Sequence, residues 1–131
     1  MATIEGGCLC GACRYETDAD PLNVRACHCH ICQKATGAPL YARVAVPLDQ
    51  VTITGPVGWY HSSPALRRGF CPQCGTTLFS ERAGANMMGL TMGSLDDPGK
   101  FTPEAHIWMA SKQPWVHLDD DIPHYWENPP A

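Results

Sequence analysis

Eight cysteines in a chain of 131 residues carry the first chemical signal. They fall into three groups: Cys8, Cys10 and Cys13 in CLCGAC, Cys27, Cys29 and Cys32 in CHCHIC, and Cys71 and Cys74 in CPQCG. Thiolates spaced this closely can converge on one zinc ion at about 2.3 Å with little strain. In the last group Pro72 sets the turn, and Gly75 lets the backbone bend so that amides point at sulfur. That pair is half of a four-thiolate site, and Cys8-x-Cys10 can supply the other half. The middle group then offers three thiolates and an open position, the arrangement that lets a metal take water or a substrate thiol. Spacing alone also allows Cys71 and Cys74 to close with two of Cys27, Cys29 and Cys32, leaving one structural zinc and several idle cysteines. Disulfides are the competing use of so many cysteines, and eight would allow about 105 pairings. The N-terminus, MATIEGGCLC, shows neither a basic region nor an apolar stretch of a secretory signal, so a cytoplasmic, reducing environment is expected and metal is favoured. No apolar run reaches the ~18 residues of a membrane span.

Other candidate groups carry weaker readings. Cys13 begins a strand and reads as core packing. His28 and His30 interleave with the middle cysteines and, on an extended backbone, point away from them, toward hydrogen bonding or solvent. His61 and His117 lack a local partner, and His106, in HIW, reads as a strand residue that packs or lines a pocket. Trp108, Trp115, Tyr125 and Trp126 can wall a cleft or cover the sheet. Asp96-Asp97-Pro98-Gly99 is a turn, and Asp119-Asp120-Asp121 reads as a solvated loop without the spacing of a calcium site.

The elements that must position these groups are short. With 12 Gly and 12 Pro, turns dominate, while 44% apolar residues allow a packed core. The reading is a single domain over residues 1–131, mainly β, with antiparallel sheets and one or two short helices. Strands are predicted at 14–17, 40–46, 51–54, 59–61, 67–70, 77–80 and 88–92. One short helix is predicted over 30–36, ended by Gly37, and its first amides would favour the thiolate forms of Cys29 and Cys32. The proline-rich last third is expected to be extended and to wrap the sheet with at most one helical turn, and the tail 128–131 to fray. A net charge of −4 with three lysines argues against a nucleic-acid partner.

The chain resembles the glutathione-dependent formaldehyde-activating enzyme family, which includes CENP-V-like domains. The blocks that carry the resemblance are GGCLCGACRY (6–15), CHCHICQKATGAP (27–39), FCPQCGTTLF (70–79), GSLDDP (93–98) and HIWMASKQPW (106–115). The resemblance implies a β-tent-like fold. It implies a structural zinc on Cys8, Cys10, Cys71 and Cys74, and a catalytic zinc on Cys27, Cys29 and Cys32. Two zincs per chain are therefore expected, the second weakly held. Cys13 falls where the family shows an aliphatic residue. The implied activity is that of a carbon–sulfur lyase acting on a thiol–aldehyde adduct such as S-hydroxymethylglutathione, formed from glutathione and formaldehyde. Lys34, Arg43, Arg67 and Arg68 could then meet the carboxylates of glutathione, or form a solvated face. Two other classes remain: a zinc-stabilised binding or scaffold module without catalysis, and a metal or redox sensor using the middle cysteines. Metal content separates the first two, because the lyase needs two zincs and a scaffold needs one.

Overall fold

The computed structural model describes residues 3–130. In chain order the strands are β1 (Ile4–Gly7), β2 (Arg14–Thr17), β3 (Asn23–Cys27), β4 (Tyr41–Pro47), β5 (Thr52–Thr54), β6 (Gly58–Ser63), β7 (Leu66–Phe70), β8 (Thr77–Arg82), β9 (Met87–Thr91) and β10 (Ala105–Ile107), with the helix α1 (His30–Thr36) after β3. Three strands form a small sheet in the order β1-β2-β5, and seven form a large one in the order β10-β3-β4-β9-β8-β7-β6.

β4 is a mostly apolar run and sits inside the large sheet between β3 and β9. Val44, Ala45 and Val46 are fully buried, as expected for a strand covered on both faces. Leu78, Phe79, Met88 and Leu90 complete this core. Each such side chain contributes about 1.5–3 kcal/mol by leaving water. Tyr15 of the small sheet meets Phe79 edge-on with ring centroids 5.2 Å apart, and Trp59 stacks on Phe79 at 5.8 Å. The Tyr15–Phe79 contact joins the two sheets, and Trp59 backs the same buried ring from within the large sheet.

The seven predicted strands occur, with ends moved by no more than two residues. The helix has the predicted bounds: Cys29 caps it, its sulfur accepting from the Cys32 amide, and Gly37 ends it at φ 67°. β1 and β3 escaped the sequence reading, and of β10 only His106 was read as a strand residue. β1 is half glycine, β3 alternates Asn, Val, Arg and Ala, and β10 is three residues long. β10 pairs with β3 in parallel, so the expectation of antiparallel sheets holds everywhere except this edge. The proline-rich region holds two short 3-10 turns, Pro98–Lys100 and Met109–Ser111, rather than at most one. Asn128 does not fray: its Oδ1 accepts from Trp108 Nε1 at 3.1 Å, and the Trp108 amide donates to the Glu127 carbonyl at 3.0 Å. Ala131 lies outside the described residues. Among those residues, no helix is long and apolar enough to cross a membrane.

Candidate metal centres

Two turns build the first cluster. The β1–β2 turn presents Cys8 and Cys10, and the β7–β8 turn presents Cys71 and Cys74. In each, a glycine with positive φ follows the second cysteine: Gly11 at 83° and Gly75 at 80°. That conformation folds the chain back so that amides face sulfur. The Cys13 amide donates to Cys8 Sγ at 3.2 Å, and Thr76 Oγ1 lies 3.2 Å from Cys74 Sγ. These contacts hold the Cys8 thiol below its ordinary range, chiefly through the Cys13 amide. They bring Cys74 down to about 5, chiefly through the Thr76 hydroxyl. The sulfurs of Cys8 and Cys10 are 3.6 Å apart, and those of Cys10 and Cys71 are 3.8 Å apart. Four sulfurs bound tetrahedrally at ~2.3 Å would stand about 3.8 Å from one another, so this set fits a zinc ion closely. Cys13 is buried in the core beside them and, as expected, packs rather than joining the group.

The second cluster forms where β3 runs into α1. Cys27 ends the strand, Cys29 caps the helix, and Cys32 lies in its first turn. Their sulfurs lie within 4.8 Å of one another, and among the described residues no fourth Cys, His, Asp or Glu joins them. The set could hold a metal ion through three thiolates. Without one, Cys29 is pushed far down by hydrogen bonds from Cys27 and Cys32, while Cys27 is pushed up by its two neighbours and by burial. All eight cysteines are free thiols.

This cluster opens onto a cavity of about 670 Å³. Arg25, Arg43, Arg68 and Arg82 line it, four of the chain's six arginines, and among the described residues no Asp or Glu does. Trp108, Ile107 and Leu66 supply apolar wall. Arg68 Nη2 lies 3.6 Å from Cys32 Sγ, and its Nε donates to Ser62 Oγ at 3.2 Å. Arg43 is buried and donates to Asn23 Oδ1 at 2.7 Å. Of the four cations singled out in the sequence, Arg43 and Arg68 line this cavity. Arg67 faces elsewhere, paired with Glu81 at 2.8 Å and stacked on Trp59 at 3.9 Å, and exposed Lys34 lines a neighbouring groove. Of the four aromatics, Trp108 walls the cavity, Tyr125 packs behind the cysteines, and Trp115 and Trp126 stay exposed.

A histidine chain behind the second cluster was not legible in the sequence. His28 is fully buried, and its Nε2 lies 2.9 Å from His106 Nδ1. Burial pushes His28 down to about 4. His106 Nε2 lies 2.9 Å from Asp120, and His124 Nε2 lies 2.8 Å from the same carboxylate. Asp120 is thus an acceptor for two imidazoles rather than part of a purely solvated loop. Its i,i+4 spacing to His124 was the available signal. His30, His61 and His117 are exposed.

The geometry can be set beside known proteins. A crystal structure of a Rhodobacter sphaeroides protein shares the fold, with a TM-score of 0.60 at 19% identity over 92% of this chain and 98% of that one. A Schizosaccharomyces pombe protein named uncharacterized lyase C29B12.13 is 34% identical over 79 residues, which are 60% of this chain and 58% of the yeast protein. The aligned part thus spans under two thirds of that relative's length. Residues 3–111 match the description "glutathione-dependent formaldehyde-activating enzyme", a span that takes in both cysteine clusters and most of the cavity wall. The chain belongs to the glutathione-dependent formaldehyde-activating enzyme family.

Proposed function

We propose that the protein is a zinc-dependent carbon–sulfur lyase that makes or breaks a thiol–aldehyde adduct such as S-hydroxymethylglutathione. The observation that carries this reading is the three-thiol cluster opening on a cavity lined by four arginines and, among the described residues, by no Asp or Glu. Such a cavity favours an anionic small molecule, and glutathione carries carboxylates. Family membership and the lyase name of the yeast relative support the same class.

Cys8, Cys10, Cys71 and Cys74 would hold a structural ion that ties the β1–β2 turn to the β7–β8 turn. Cys27, Cys29 and Cys32 would hold the catalytic one. Bound there, zinc would supply Lewis acidity, lowering the pKa of an incoming thiol. Arg68, beside Cys32, holds negative charge at that mouth and, with Arg25, Arg43 and Arg82, receives carboxylates. Trp108 and Ile107 exclude water and limit hydrolysis of the adduct. In the forward direction the thiolate sulfur attacks the carbonyl carbon, the C–S bond forms, the carbonyl π pair moves to oxygen, and oxygen takes the proton the thiol gave up. Orientation of the two reactants supplies most of the acceleration. Thiolates that hold metal suit a reducing compartment such as the cytoplasm.

Proton exchange spectroscopy on glutathione and formaldehyde, run alongside zinc content per chain, tests the reading. Faster adduct exchange with two zincs per chain is expected. An exchange rate that the protein leaves unchanged, with both zincs present, would remove the proposed activity.

A further inference from the structure

Outside both cysteine clusters, a third set of metal-binding side chains converges at the C-terminal side of the large sheet. We propose that His106, Asp120 and His124 bind a divalent transition-metal ion, such as Zn²⁺, at a site separate from the cysteines. The proposal stands independently of the lyase reading.

The donor set is two imidazoles and one carboxylate, which suits zinc and its neighbours and is poorly matched to calcium or magnesium. The three ligand atoms lie within 4.8 Å of one another. The Asp120 carboxylate sits between the rings, with one oxygen 2.9 Å from His106 Nε2 and the other 2.8 Å from His124 Nε2. The rings stand nearly perpendicular, at 84°, with centroids 5.0 Å apart. Bonds of about 2.1 Å to one ion require neighbouring ligand atoms roughly 3.0–3.4 Å apart, so the side chains need only small rotations.

The surroundings also match a ligand site. A metal-bound imidazole must carry its proton on the other ring nitrogen and give it to an acceptor. His106 Nδ1 faces His28 Nε2 at 2.9 Å, which provides that acceptor inside the fold. Deeper in, His28 Nδ1 has no partner in either tautomer of the pair. The His106 side chain is 8% exposed, whereas Asp120 and His124 are 34% and 32% exposed, so one side admits an ion and waters. Occupancy would reinforce the backbone bridge that already joins the segment 120–124 to β10, which leads directly into Trp108 at the cavity wall.

The test uses the full chain with both cysteine clusters saturated in zinc. Equilibrium dialysis against further Zn²⁺ should give one more ion per chain in the wild type than in Asp120→Asn or His124→Ala. Added Co²⁺ should produce a weak visible spectrum without the near-ultraviolet band of a sulfur ligand. Should a variant fold poorly, the wild type alone decides: one further equivalent of Zn²⁺ should shift the imidazole proton signals of His106 and His124. Equal zinc content in wild type and variants, or imidazole signals unmoved by that equivalent, overturns the site and leaves Asp120 as an acceptor for two N–H groups.

Discussion

Arg68 Nη2 lies 3.6 Å from Cys32 Sγ, so β7 brings a guanidinium onto a thiol that stands 36 residues earlier in the chain. Arg68 is 8% exposed; its Nε donates to the neutral Ser62 hydroxyl, and its guanidinium lies over the Tyr41 ring at 5.8 Å. Among the described residues no carboxylate pairs with it. Its charge is left for sulfur and for whatever enters the cavity.

Replacing that charge without emptying its space isolates its contribution. A hydrogen bond to a charged group is worth about 1.5–3 kcal/mol, and each ~1.4 kcal/mol is tenfold in rate. Arg68→Met should lower kcat/KM for adduct formation by about 10–100-fold, with less effect on an uncharged thiol such as 2-mercaptoethanol. Steady-state kinetics on both thiols checks this, and equal losses on the two would refute charge recognition by Arg68.

The two cysteine clusters should respond oppositely to single substitutions. Cys71 is fully buried and belongs to the group joining two turns far apart in sequence. Metal sites of that kind contribute folding free energy directly, roughly 10–16 kcal/mol for zinc in finger peptides. Cys71→Ser should unfold the chain or lower Tm by more than about 10 °C, on the usual scaling of several degrees per kcal/mol. Cys29→Ser should keep the fold, lose about one zinc per chain and abolish turnover. Circular dichroism melts with zinc analysis decide between these outcomes. Full turnover in Cys29→Ser would reassign the catalytic group.

Gly55 holds β5 against the turn that carries Cys8 and Cys10. Its φ is 100°, and a Cβ there would run into the Ala12 carbonyl oxygen and come within 2.8 Å of Cys13 Cα. Backbone atoms cannot step aside as a flexible side chain can. Gly55→Ala should destabilise by about 2–4 kcal/mol, combining strain with overpacking. Gly84→Ala, where a Cβ meets nothing within 4 Å, serves as the tolerated control. Urea denaturation of the pair gives the comparison; a Gly55→Ala protein as stable as the control would show that the turn can shift.

Alkaline stability should report Tyr15. Burial pushes its phenol up from about 10 to about 12, while its hydroxyl lies 2.7 Å from Ser94 Oγ. The folded state therefore holds this proton more tightly than the unfolded state. The contribution is fully present below pH 10 and is lost as pH rises through about 12. A shift of this size corresponds to roughly 3 kcal/mol. Denaturation at pH 9 and pH 11.5 should show a steeper loss in the wild type than in Tyr15→Phe. Parallel losses in both would place the titration elsewhere.

Local chemistry was readable from the residues. Short spacings put Cys8 with Cys10, Cys71 with Cys74, and Cys27 with Cys29 and Cys32, because nearby thiolates share a turn whatever the rest of the chain does. The helix was equally local: a cap at Cys29 and a left-handed Gly37 mark its ends. β4 announced itself by its nearly continuous apolar run, since a strand buried on both faces needs little polar pattern. β3 did not, because Asn23 and Arg25 alternate with Val24 and Ala26 and serve the cavity side rather than solvent. β10 is too short to carry a period and depends on a parallel pairing with a strand about eighty residues away.

Sequence by itself determined which sulfurs could act together within a turn, the mainly β character and the family. Tertiary structure decided that Cys8 and Cys10 meet Cys71 and Cys74 rather than the middle group, that Arg68 and not Arg67 reaches the thiols, and that His28, His106, Asp120 and His124 line up. The physical reason is separation. Metal-ligand and hydrogen-bond chemistry acts over a few ångströms, and groups tens of residues apart come within that range only through strand order and register. A shift of one residue along β7 would exchange the faces of Arg67 and Arg68, sending one to Glu81 and the other to the cavity.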